Sequence, residues 1–121
     1  EILPRRSPFF DHREKYATDG AIEICPAEHL TPAQEERVAA RARTAYAAAG
    51  CDGYARIDFI LPRLRSGTFE QEPVLLEANS LPGFTPTSLI PREAAALGVS
   101  YRELCLEICI LALERHEEQL R

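Results

Sequence analysis

Two short apolar runs carry the residues most able to do chemistry. Arg56 and Asp58 lie in Tyr54-Ala55-Arg56-Ile57-Asp58-Phe59-Ile60-Leu61, and Glu77 and Asn79 lie in Val74-Leu75-Leu76-Glu77-Ala78-Asn79. In an extended strand alternate side chains share a face. Arg56 therefore falls with Asp58, and Leu75 with Glu77 and Asn79, while Val74, Leu76 and Ala78 fall opposite. The second run is expected to be a buried strand, where a carboxylate is costly unless it is paired or binds a metal. The connection from Pro62 to Pro73 leaves no room for a crossover helix, so the spacing predicts an antiparallel hairpin with both polar sets on one face.

Two carboxylates, an amide and a guanidinium would then surround one point. Carboxylates a few ångströms apart repel unless a cation lies between them, and an all-oxygen set favours magnesium or manganese over zinc. Magnesium keeps waters and completes its shell from phosphates, which makes a nucleoside triphosphate its natural companion, with Arg56 set to meet phosphate charge. A structural ion-pair network of Arg56, Asp58 and Glu77 on a solvated sheet face satisfies the same spacing.

The surrounding segments must position this group. Glu1-Ile2-Leu3-Pro4 looks like the end of a strand, and Ala21 to Cys25 like a second, stopped by Pro26. The polar stretch between them, residues 8–20, is longer than a hairpin needs. It is either a mobile lid, with Lys15 and Tyr16 its notable members, or a solvated loop. Thr31-Pro32-Ala33-Gln34 is a capping box opening a helix to Ala49, with Gly50 as its stop. Pro91 begins a short helix ended by Gly98. Ser100 and Glu103 open the last helix, for which Tyr101, Leu104, Cys105, Ile108, Cys109 and Ala112 are expected to form the buried face. Leu81 to Ser88 is a rigid, hydroxyl-rich turn that either binds a carboxylate through its N–H groups and Ser88 or caps its own backbone.

Composition narrows the function class. The 121 residues are 45% hydrophobic with a net charge of -5, and no basic stripe suits a nucleic-acid backbone. No apolar run is long enough to span a membrane. The chain has no Met and opens directly on a strand-like segment, so we expect a piece of a longer cytoplasmic protein. The four cysteines lack metal-ligand spacing and are expected to be small buried thiols, and the three histidines to be surface residues.

Taken together, Arg56-Ile57-Asp58, Leu76-Glu77-Ala78-Asn79-Ser80, Leu81-Pro82-Gly83-Phe84-Thr85, Ser88-Leu89 and Glu14-Lys15-Tyr16 resemble the C-terminal part of D-alanine:D-alanine ligases, members of the ATP-grasp superfamily. The resemblance covers nearly the whole chain. It implies an α+β fold, the C-terminal half of an ATP-grasp domain, with antiparallel β-sheet packed against α-helices. The activity implied is ATP-dependent ligation of two D-alanines through an acyl phosphate, for peptidoglycan precursor synthesis. By resemblance Asp58, Glu77 and Asn79 would bind two magnesium ions, for which manganese could substitute, and Lys15, Phe9, Leu76, Glu77 and Asn79 would contact ATP. Arg56 and the Gly83 backbone would stabilise the tetrahedral intermediate, Ser88 and Leu89 would hold the second D-alanine, and Tyr16 would lock the loop. The Lys15-Tyr16 pair favours the dipeptide over D-alanyl-D-lactate. The family's N-terminal and central domains would lie upstream of Glu1, the full protein would be a homodimer, and this chain alone would be inert. Another ATP-grasp carboxylate-amine ligase, or a non-catalytic nucleotide-binding relative, is the alternative.

Overall fold

The computed structural model describes residues 1–3, 21–62 and 72–121. The expected lid over residues 8–20, with Phe9, Lys15 and Tyr16, lies outside the described residues, as does most of the Pro62 to Pro73 connection. The chain divides into two compact units, Glu1–Leu30 and Thr31–Arg121. In the first, strands β1 (Ile2–Leu3) and β2 (Ile22–Glu23) pair antiparallel, with Ile2 opposite Glu23. The Glu1 carboxylate accepts hydrogen bonds from the Glu28 and His29 backbone N–H groups at 3.1 and 3.2 Å. Burial raises its pKa, but these bonds and the His29 ring outweigh that and hold it below the ordinary value.

The second unit is built from helix α1 (Pro32–Ala48), strands β3 (Arg56–Ile60) and β4 (Val74–Asn79), and helices α2 (Leu89–Ala96) and α3 (Tyr101–Gln119). The ends of α1 follow from local chemistry. Gln34 Oε1 accepts from the Thr31 N–H at 2.8 Å, the Thr31 hydroxyl accepts from the Gln34 N–H at 3.4 Å, and Gly50 follows at φ 62°. The α3 start repeats the device. Glu103 accepts from the Ser100 N–H at 2.8 Å and the Ser100 hydroxyl from the Glu103 N–H at 3.2 Å, and hydrogen bonds from the Ser100 side chain and backbone hold the Glu103 carboxyl below its usual range.

Strands β3 and β4 form the expected antiparallel hairpin, and α1 packs on both. Helices α2 and α3 pack on each other. The fold is α+β, as the sequence predicts. Three expectations need correction. Strand β4 is not buried: Val74, Leu75 and Leu76 are exposed, because the described sheet has only two strands and β4 is its edge. On α3 the sheltered side is Leu104, Cys105, Ile108, Leu111 and Arg115, while Tyr101, Cys109 and Ala112 are exposed. The cysteines are free thiols, three half-buried and Cys109 exposed. Among the described residues no helix is long and apolar enough to cross a membrane.

Candidate active site

The hairpin sets the geometry of the charged group. Arg56 lies opposite Asn79, Ile57 opposite Ala78, and Asp58 opposite Glu77, so all four polar candidates share a face. A bulge follows between Asp58 and Phe59, leaving Leu76 unmatched and setting Leu75 opposite Phe59. Strict alternation would keep Leu75 with Glu77. The extra residue moves it to the apolar side instead, and the bulge lies beside the carboxylates.

Arg56 is the hub. Its Nε donates to both Asp58 oxygens at 2.9 and 3.2 Å, and one terminal nitrogen donates to Asp58 Oδ2 and Glu77 Oε1, each at 3.0 Å. The Arg56 side chain is 17% exposed, against 30% for Asp58 and 52% for Glu77, so the guanidinium lies beneath carboxylates that still face water. The hydrogen bond to Asp58 raises the Arg56 pKa further, burial opposing it and the two carboxylate charges adding. Asn79 turns its Oδ1 toward the chain ahead, accepting from the Leu81 N–H at 3.1 Å.

The following turn is knitted by its hydroxyls. The Ser88 N–H donates to the Thr85 carbonyl at 2.8 Å, the Thr85 N–H to the Ser88 hydroxyl at 3.0 Å, and the two hydroxyls lie 2.9 Å apart. Ser88 is the N-cap of α2 and Leu89 its first residue, but the Ser88 side chain bonds back into the turn rather than to the helix. A Cβ on Gly83 would stand 3.3 Å from the Ser88 hydroxyl, so glycine lets the turn close. The structure thus brings together Arg56, Asp58, Glu77 and Asn79 in one group, and Gly83 with Ser88 in another.

Sequence reasoning missed two contributors. Glu93 on α2 feels the charges of Asp58 and Arg56. Burial of its carboxyl raises its pKa, and the Asp58 charge adds to the rise. Tyr101 donates its hydroxyl to the Phe84 carbonyl at 2.9 Å. No sequence spacing signals either one, since both contacts depend on how α2 and α3 return to the turn.

Charge and ligand type decide whether this donor set fits a bound cation. Arg56 offsets only one of the negative charges of Asp58 and Glu77, and Asp58, Glu77 and Asn79 offer hard oxygens from adjacent strands. A divalent cation fits that surplus. Among the described residues no group of three or more His, Cys, Asp or Glu that could hold a metal occurs.

The chain is similar to known proteins over most of its length. A family model for the D-ala D-ala ligase C-terminus matches residues 1–110. The D-alanine–D-alanine ligase of a Synechococcus species is 41% identical over 115 residues, covering 95% of this chain and 33% of the relative. Among solved structures, the D-alanine–D-alanine ligase of Bacillus anthracis superposes with a TM-score of 0.71 at 31% identity, covering 98% of this chain and 35% of that one. The same enzyme complexed with ATP gives 0.65 at 32% identity, covering 75% and 30%. The chain spans about a third of the length of the relatives it matches. With the hairpin, the Arg56 hub and the Gly83 to Ser88 turn all inside the matched segment, the chain belongs to the D-ala D-ala ligase C-terminus family.

Proposed function

We propose that this chain supplies the C-terminal part of an ATP-dependent ligase that joins two D-alanines through an acyl phosphate for cell-wall precursor synthesis. The observation that carries the reading is the Arg56 guanidinium, held between Asp58 and Glu77 on paired strands within the segment that matches the family. Asp58, Glu77 and Asn79 would hold magnesium, which when bound neutralises charge on a phosphoryl group in transfer. Arg56, shared between two carboxylates, is oriented rather than free, as a residue must be to meet an oxyanion without reorganising. Gly83 would offer its backbone N–H to the same oxyanion. Ser88 and Leu89 would seat the carboxylate of the second D-alanine, the Ser88 oxygen being fixed by the Thr85 N–H and lying 2.9 Å from the Thr85 hydroxyl.

ATP contacts from Leu76, Glu77 and Asn79, and from Phe9 and Lys15 with Tyr16 as a latch, complete the proposal. The first D-alanine site and the central lid would come from further domains of a full-length cytoplasmic homodimer. Closure over the site would keep water from the acyl phosphate. The test is phosphate release from ATP by the full-length protein, with and without D-alanine, beside Asp58→Ala. Release should require D-alanine and fall at least roughly a hundredfold in the variant. Release that ignores D-alanine, or survives the substitution, would overturn the assignment.

A further inference from the structure

The turn after β4 is tied to α3 by a contact that the chemistry above does not use. Tyr101, the first residue of α3, donates its hydroxyl to the Phe84 carbonyl at 2.9 Å across 17 residues of chain. Its ring centroid lies 5.7 Å from that of Phe84, and Phe84 lies 5.3 Å from Tyr54, both pairs tilted and in the attractive range for aromatic contacts. Tyr54 stands two residues before Arg56. Three rings therefore connect the start of α3, the middle of the turn and the entry to β3.

Within the turn, Leu81 is held by Asn79, and Thr85 and Ser88 hold each other. Phe84, next to Gly83, is fixed from outside, by Tyr101. Tyr101 is 39% exposed, so the contact lies near the surface rather than in a core. A bond to one particular carbonyl then serves placement more than desolvation.

We propose that Tyr101 is a positioning residue for the amine-supplying substrate: through Phe84 it sets the Gly83 backbone and the Ser88 hydroxyl relative to Arg56. The proposal rests on the ligase reading above, and its experiment separates the two. In the full-length protein, Tyr101→Phe keeps the ring and removes only the hydroxyl. Peptide-level hydrogen exchange across residues 81–88 should quicken roughly fivefold, the scale of one net hydrogen bond, with β3 and β4 unchanged. The KM for the D-alanine that supplies the amine should rise by a similar factor. The KM for ATP and for the acyl-supplying D-alanine should hold, as should the Tm. Tyr101→Leu, which also removes the ring, should extend the same pattern. Unchanged exchange over 81–88 would overturn the proposal whatever the kinetics, and so would a joint shift of all three KM values with Tm, the mark of a merely structural role. If the unaltered protein shows no D-alanine-dependent release, the ligase reading fails and takes the substrate assignment with it. Exchange then still decides whether Tyr101 holds the turn.

Discussion

Glu93 bears on how the charged face responds to pH. The residue is exposed overall, yet protein crowds its carboxyl, and that loss of solvation raises its pKa, the Asp58 charge adding while Arg56 and Arg92 pull the other way. A carboxyl with a folded pKa above its unfolded value of about 4.3 binds more protons in the native state between the two. Stability then falls as pH rises from about 4.3 through the folded pKa, the reverse of a salt-bridged acid. Replacing Glu93 with Gln removes the penalty of ionising there. Thermal melts of Glu93→Gln and the unaltered protein, both at full length, should match or favour the unaltered protein near pH 4 and favour the variant at pH 7 to 8, by a small margin because Glu93 reaches water. An unaltered protein whose advantage grows with pH would show that Glu93 is instead a net partner of Arg56.

At the scale of elements, the entry to β3 depends on one glycine. Gly53 has φ +73°, and a Cβ there would stand 3.2 Å from a terminal nitrogen of Arg115, which reaches from α3 to pair with Asp52 and to the Leu111 carbonyl. Gly53→Ala combines a left-handed backbone penalty of about 1–2 kcal/mol with displacement of that ion pair. In the full-length protein, urea unfolding should show a loss larger than the backbone part alone, whereas Gly50→Ala, with nothing within 4 Å, should cost only that part. Equal losses at the two sites would mean the Arg115 contact adds nothing. The same elements show what the sequence can reveal. The capping boxes at Thr31 and Ser100 and the hairpin of β3 with β4 were legible because each is written in residues close together in sequence. The convergence of Arg56, Asp58, Glu77 and Asn79 followed from alternation up to the bulge. The bulge itself was not legible, because Leu75 and Leu76 are interchangeable to any apolar pattern. The sheltered side of α3 was misjudged for a related reason. The helix is apolar on opposite sides, and only its packing on α2 decides which is covered.

The described residues lack the sheltered apolar core that a self-sufficient domain of this size has. Among the described residues no apolar side chain is fully sheltered, and Leu75, Leu76 and Leu81 are exposed along β4 and its turn. On α3, Leu106, Ile110, Leu113 and Leu120 recur at spacings of four, three and seven, which places them on one side, and all are exposed. Stability of a 121-residue chain rests on burying such surface against the conformational entropy of ordering it. Local devices such as the two capping boxes, each contributing about 1 kcal/mol, cannot substitute for a core. The isolated chain is therefore expected to keep its helical content by circular dichroism while binding a hydrophobic fluorophore and melting over a broad range without a sharp heat-absorption peak. It should also release no phosphate from ATP in response to D-alanine, since it spans about a third of the length of the relatives it matches. A sharp calorimetric transition with no dye binding would show that the hairpin and helices stabilise one another without partners. D-alanine-dependent turnover by the isolated chain would go further, placing the complete site within these 121 residues.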